Sequence, residues 1–311
     1  MKILVASPEY FPTDILSELE EIGDVDCEKL SYEELLDRIG DYDAVLTRVD
    51  VKLDKKILEK AAKLKAIGSA TTGLDHIDMK YAASKGIKIF SLSGSHTVPT
   101  AEHTFSLILA LAKKVPWAFD SLKKGEWERN RFFGLELDGK TLGIIGFGKI
   151  GSRVAVYAKS FGMRILTYDP YINKELAESV GAEIVSLDEL LKDSDIITIH
   201  AFLSPETRKM INSETISKMK KTAFLVNVAR GEIIDEASLL EALKNKKIAG
   251  AALDVFIEEP LPPNSELIKY AKKNSNLIIT PHMAASTGEA IRRSAKEIVG
   301  KVKEFLSSNN I

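Results

Sequence analysis

Between Gly139 and Pro170 the chain reads GKTLGIIGFGKIGSRVAVYAKSFGMRILTYDP, and this stretch leaves few folds open. The apolar run from Thr141 to Ile145 has the length of a buried strand. It runs directly into Gly146-Phe147-Gly148-Lys149-Ile150-Gly151, a G-x-G-x-x-G turn. Residues 152–160 then carry helical spacing, and a second apolar run, 164–168, ends on Asp169, 18 residues beyond Gly151. Strand, glycine turn, helix, strand and acid in that order define one βαβ unit of a doubly wound parallel sheet. Gly146 can take a tight turn, Gly148 has no Cβ to keep a pyrophosphate from the backbone, and Gly151 lets the helix close on its strand. Lys149 and Ile150 open that helix, whose free N–H groups and dipole favour a dianion. Asp169 can accept hydrogen bonds from a ribose diol, and it would repel a 2′-phosphate by about 4 kcal/mol per unit pair at ~4 Å near a protein surface. Pro170, Tyr171 and Ile172 supply no cation to offset this. The expected cofactor is therefore NAD rather than NADP.

The 311 residues, 45% of them hydrophobic, suffice for two domains with sizeable cores. From the start, short apolar runs at 3–6, 25–27, 44–47, 66–68 and 87–90 alternate with helical patterns, which predicts a first α/β domain. A long apolar helix is expected over 97–115. Beyond the glycine turn, runs at 196–200, 223–228, 249–256 and 277–280 continue the parallel pattern. An amphipathic helix over 288–307 is expected to return to the first domain. The stretch between the long helix and the glycine turn has no simple period but is rich in aromatics. Trp117, Trp127, Phe132 and Phe133 read as surface that something covers.

Lys and Arg total 43 and Asp and Glu 45, a net charge of −2, so no basic footprint argues for nucleic acid. Cys27 is the only cysteine, which excludes an internal disulfide and a cysteine-built zinc cage and fits a reducing compartment. No apolar run approaches ~20 residues, so no membrane association is expected, and the N-terminal run is too short for a secretory leader. A cytoplasmic protein without a metal site is expected; no pair of its histidines has zinc spacing.

Three polar residues stand just beyond apolar runs: Arg230 after FLVNVA, Glu259 after AALDVFIE, and His282 after LIITP. In an open parallel sheet, ligands sit outside the carboxyl ends of strands, so residues placed this way can converge on one. Taken singly they also read as a surface ion-pair partner, a solvated charge before Pro260 and a capped loop histidine. His103, on an apolar helix face, is expected to be a satisfied core histidine, and His200 a structural part at a strand end.

NVARG at 227–231, DVFIEEPLP at 254–262 and TPHMAAST at 280–287 resemble the signature blocks of the D-isomer-specific 2-hydroxyacid dehydrogenases. ATTGLDHID at 70–78 resembles that family's substrate loop and TAEHTFSLILALAKK its interdomain helix, so the match runs nearly the whole chain. The resemblance implies a two-domain α/β enzyme. Residues 1–96 and 287–311 would form a flavodoxin-like substrate domain and 97–286 a Rossmann-type NAD-binding domain, with the active site in the cleft between. The implied reaction is hydride transfer between nicotinamide and C2 of a D-2-hydroxy acid or 2-oxo acid. His282 would be the acid/base, which suits an imidazole whose pKa is ordinarily about 6.5. Glu259 would fix its tautomer and favour imidazolium. Arg230 would hold the substrate carboxylate and carbonyl oxygen, where a planar fork outperforms Lys. The same resemblance puts Thr72 and Gly73 in a cradle for the carboxylate and Arg48 near the outer end of the substrate. Asp254 would face the nicotinamide carboxamide, and Val228 and Thr207 would line the cofactor. A homodimer through the NAD-binding domains, with 116–133 crossing over, is implied as well.

Two departures stand out. Phe202 in HAFLSPET replaces a proline that many relatives carry, and Ser69 stands where some phosphoglycerate dehydrogenases place an Arg. The expectation is a glyoxylate, hydroxypyruvate or D-lactate type reductase, with D-3-phosphoglycerate dehydrogenase as the alternative that Arg48 supports and Ser69 opposes. No regulatory module is expected after the closing helix. From a different class, the same scaffold could serve a non-catalytic protein that senses NADH; turnover of a 2-oxo acid separates the two.

Overall fold

The structure is a computed structural model and describes residues 1–308. The chain forms two compact units, one from Met1–His96 together with the segment from Ala285 onward, the other from Thr97–Ala284.

The first unit contains β1 (Lys2–Val5), β2 (Asp24–Cys27), β3 (Ala44–Thr47), β4 (Ala66–Ser69) and β5 (Lys88–Phe90). They pair in parallel in the order β2-β1-β3-β4-β5, the flavodoxin-like arrangement. β3 and β4 are buried throughout, because a parallel sheet covered by helices on both faces needs unbroken apolar strands rather than alternation. The helix Gly288–Ser308 contributes Ala295, Ile298, Val299 and Val302 to a core shared with Ile3, Val5 and Leu46. Its approach to β4 depends on Gly68: a Cβ there would lie 2.6 Å from the Ile298 side chain and 2.8 Å from that of Val302.

The second unit contains β6 (Thr141–Ile145), β7 (Arg164–Tyr168), β8 (Glu183–Ile184), β9 (Ile196–Ile199), β10 (Phe224–Asn227), β11 (Gly250–Leu253) and β12 (Leu277–Ile279). All pairs are parallel, in the order β12-β11-β10-β9-β6-β7-β8. Counted from β6 this is the doubly wound dinucleotide-binding order with a seventh strand added. The order reverses between β6 and β9, so the crevice of such a sheet opens beyond their carboxyl ends, next to Gly146 and His200. The helix Thr97–Lys113 buries Phe105, Ile108 and Leu111 in a core with Leu142, Ile144 and Val226.

The long helix does not run to residue 115. Lys114 takes a left-handed φ of 56°, and a separate helix, Val115–Lys123, begins with Pro116 in its first turn, where a missing N–H is tolerated. The aperiodic stretch is thus partly helical. Val115, Phe119 and Leu122 are exposed on it, as are Trp127 and Phe133 beyond, whereas Trp117 packs against the core. Short helices at Met79–Ser84, Lys174–Val180, Ser213–Ser217 and Glu266–Ala271 escaped the sequence expectation, since one or two turns display no period. Among the described residues no helix is long and apolar enough to cross a membrane, and no group of three or more His, Cys, Asp or Glu could hold a metal ion.

Candidate active site

The glycine turn is built as close backbone approaches. Gly146 has φ 90°, and a Cβ on it would lie 2.6 Å from the Ala201 amide nitrogen, so the turn after β6 lies directly against the chain leaving β9. On Gly151 a Cβ would meet the Gly146 carbonyl oxygen at 2.2 Å, which is how the helix Lys149–Ser160 seats on its strand. Gly148 caps that helix without a side-chain hydrogen bond, and a Cβ there would meet nothing within 4 Å. The helix therefore opens on free space beside first-turn amides, the arrangement a pyrophosphate needs. Lys149 is exposed at this start and Ile150 packs against the core. The Asp169 carboxylate is fixed beside the turn: the Phe147 N–H donates to Oδ2 at 2.8 Å and the Tyr171 N–H to Oδ1 at 2.8 Å. A carboxylate has about four acceptor positions, so both oxygens can still take a diol. These residues fit a dinucleotide.

Val228 is buried just past β10. Thr207 locks the turn after β9, its hydroxyl accepting from the Ser204 N–H at 2.7 Å and donating to the Phe202 carbonyl at 2.6 Å. Phe202 itself is 78% exposed.

Arg230, Glu259 and His282 follow β10, β11 and β12. His282 Nδ1 lies 2.6 Å from Glu259 Oε2, and Glu259 Oε1 accepts the Phe256 N–H at 2.9 Å. Burial alone would raise the Glu259 pKa, but the His282 contact, the Phe256 amide and the charge of Arg230 together hold it below the ordinary value. Gly231 brings the neighbouring loop in: its Cβ would sit 2.0 Å from the Phe256 carbonyl carbon, so the segment after Arg230 runs backbone against backbone with the one leading to Glu259. Asn227, fully buried at the end of β10, shapes this turn. Its Nδ2 donates to the Arg230 carbonyl at 2.9 Å and its Oδ1 accepts from the Ala229 N–H at 3.0 Å, while Arg230 Nη1 donates to the Ala229 carbonyl at 2.7 Å. Sequence reasoning passed over Asn227, whose one signal was an amide closing an apolar strand.

His282 holds a left-handed φ of 48°, a conformation that costs an L-residue about 1–2 kcal/mol. Asp254, with no solvent exposure, grips the loop around it. Its Oδ1 accepts the Thr280 hydroxyl at 2.5 Å and the Met283 N–H at 3.0 Å, and its Oδ2 the Ala284 N–H at 2.8 Å. Burial would raise this carboxyl's pKa; hydrogen bonds from His103, Thr280 and the two amides outweigh it and keep the pKa low. His103 was expected to be a satisfied core histidine, and its polar partners are these: Nε2 lies 3.3 Å from Asp254 Oδ1 and 3.4 Å from Thr280 Oγ1.

The remaining histidines are poor acid/base candidates. Burial pushes His200 down to about 3. Burial, with Arg48 and Arg293 nearby, pushes His96 down to about 4. His76 Nε2 lies 3.1 Å from Ser69 Oγ.

Within the first unit, Arg48 follows β3 with its guanidinium carbon 3.8 Å from the centre of the Tyr10 ring; burial lowers its pKa, though a guanidinium stays charged at neutral pH. Thr72 is exposed on the loop after β4. Thr71 Oγ1 donates to the Gly73 carbonyl at 2.8 Å and lies 2.6 Å from Ser69 Oγ. Ser69 is thus an anchor for the 71–76 loop.

Residues 105–284 match the profile described as D-isomer specific 2-hydroxyacid dehydrogenase, NAD binding domain. The chain is 47% identical over 308 residues to the D-3-phosphoglycerate dehydrogenase of Methanocaldococcus jannaschii, covering 98% of this chain and 57% of the relative. It is 42% identical to the enzyme of that name from Synechocystis, covering 98% and 54%. The chain therefore spans about half the length of the curated relatives it matches. Among solved structures, D-lactate dehydrogenase from Aquifex aeolicus complexed with NAD and lactic acid superposes with a TM-score of 0.90 at 33% identity, covering 99% of this chain and 96% of that one. The chain belongs to the D-isomer specific 2-hydroxyacid dehydrogenase family.

Proposed function

We propose that the protein transfers hydride between NAD and C2 of a D-2-hydroxy acid or its 2-oxo acid. The 2.6 Å contact between His282 and Glu259, at the carboxyl edge of a dinucleotide-binding sheet, carries this reading. NAD bound at Gly146–Gly151 would supply the hydride donor and acceptor. Glu259 holds a proton on His282 Nδ1, which leaves Nε2 as the exchanging atom. That nitrogen donates to the carbonyl oxygen of an oxo acid during reduction and accepts from the hydroxyl during oxidation. Arg230 offers a forked donor to the substrate carboxylate and carbonyl oxygen. Thr72 and Gly73 offer backbone amides to the same carboxylate, and Arg48 a cation for the far end of the molecule. Asp169 selects against a 2′-phosphate, and Val228, Thr207 and Asp254 complete the cofactor's surroundings. In this assignment Thr97–Ala284 is the NAD-binding domain and the other unit the substrate domain.

Within the class, the names of the Methanocaldococcus and Synechocystis relatives make D-3-phosphoglycerate the first substrate to test, ahead of D-lactate, glycolate and D-glycerate. The protein acts in the cytoplasm as a homodimer joined through the NAD-binding units, with the exposed aromatic segment as the contact. A panel of 2-oxo acids assayed with NADH and NADPH tests the proposal. Oxidation of NADH by at least one acid, with NADPH much poorer, is the expected result. NADH binding without turnover of any 2-oxo acid would replace the enzyme by a sensor.

A further inference from the structure

Beneath the loop that carries His282 lies a polar cluster that the chemistry above uses only in part. The donors to Asp254 come from both sides of His282: the Thr280 hydroxyl before it, and the Met283 and Ala284 amides after it. Only Pro281 and His282 lie between the gripped positions, and the His282 amide donates back to the Thr280 carbonyl at 3.0 Å. The carboxylate thereby sets the loop's backbone, and with it the direction from which the imidazole reaches Glu259.

A buried carboxylate is costly without a partner that can carry charge. Among the described residues no Lys or Arg lies within ion-pair distance of Asp254, and its one ionisable partner is His103, on the helix Thr97–Lys113. Thr280 spends its hydroxyl hydrogen on Asp254, so its oxygen can only accept from His103. Both contacts of Nε2 therefore require a proton on that nitrogen.

We propose that His103 is a positioning residue for proton transfer: by donating from Nε2 to Asp254 and Thr280, it holds the 280–284 loop in the conformation that keeps His282 against Glu259. The inference rests on His282 being the acid/base of the proposed reaction. It assigns a kinetic role to a side chain that the proposed reaction leaves unused. Its loss acts on the transfer step more than on dinucleotide affinity, because the glycine turn and Asp169 hang on other elements.

The test uses the full chain and two variants. His103→Leu removes the donor, and His103→Gln returns an N–H at a similar reach. Reduction of the best 2-oxo acid by NADH is followed, with NADH affinity and thermal midpoint measured in parallel. His103→Leu should lower kcat about ten- to a hundredfold while the Kd for NADH stays within about threefold, since small misplacements of a reacting group cost rate before affinity. His103→Gln should restore most of the rate. An unchanged rate in His103→Leu would overturn the proposal, as would a loss that tracks unfolding and is not rescued by Gln. A His282→Gln variant that turns over normally would instead sink the functional reading, and this inference with it.

Discussion

An imidazole exchanges protons usefully only if the group beside it decides which nitrogen is protonated, and Glu259 is the carboxylate 2.6 Å from His282 Nδ1. Glu259→Gln keeps the shape of the pair and removes its charge. It should lower kcat for oxo-acid reduction about ten- to a hundredfold, within the range a positioned acid/base contributes. An unchanged kcat would leave Glu259 with a packing role only. Asp169 makes a second prediction of this kind. Asp169→Asn keeps one of the two backbone contacts and removes the charge, so the preference for NADH over NADPH should shrink by up to about three orders of magnitude, the equivalent of ~4 kcal/mol; the ratio of kcat/KM for the two cofactors measures it. Arg230, Glu259 and His282 were marked in the sequence by their places past apolar runs and by the signature blocks they resemble, and the structure brings Glu259 and His282 into contact. The contacts of Asn227 with the backbone of residues 229 and 230, and of His103 with the Asp254 and Thr280 side chains, were not legible, because spacing along the chain carries no record of such neighbours.

The elements themselves were readable where burial imposes a pattern. β3, β4, β6 and β9 stand out as apolar runs because both faces are covered. β8, two exposed residues long, has no pattern to read, and the helix Val115–Lys123 was hidden because its apolar side chains point outward and Lys114 interrupts the preceding period. The closing helix, legible from its stripe, is also tied down by charge that no stripe reveals. Glu297 accepts from the Ser93 N–H at 2.8 Å, the Ser93 hydroxyl at 2.6 Å, the Ser95 hydroxyl and Lys301 at 2.7 Å. Burial would raise its pKa, but Lys301 and the two serines outweigh that and bring it down to about 2 from 4.5. A depressed folded-state pKa means stabilisation that is complete above 4.5 and is lost as pH falls toward 2. Glu297→Gln should therefore lower the thermal midpoint by a few degrees at neutral pH, with the gap to wild type narrowing as pH drops below 4.5. A gap independent of pH would show that the charge contributes nothing.

At the scale of the whole molecule, the segment that resisted sequence reading is also the one with most to explain. On the helix Val115–Lys123, Val115, Phe119 and Leu122 recur at i, i+4 and i+7, which is one face of a helix, and each is more than half exposed. Trp127 at 82% and Phe133 at 75% exposure extend the apolar surface beyond the helix. Single exposed apolar residues are ordinary, but three of them along one face of a helix fit an interaction surface. Burying a Phe or Leu side chain contributes about 1.5–3 kcal/mol, so this face can supply much of what a homodimer needs to offset the entropy lost on association. In a two-fold dimer each residue of the patch is used twice, and a charge placed there is duplicated and desolvated on both sides. Phe119→Asp combined with Leu122→Asp should therefore convert the proposed dimer of 34.3 kDa chains into monomers, read by sedimentation velocity, while the fold of each chain persists because neither side chain belongs to a core. Wild-type protein that sediments as a monomer at micromolar concentration, or a double variant that stays dimeric, would move the contact to another face.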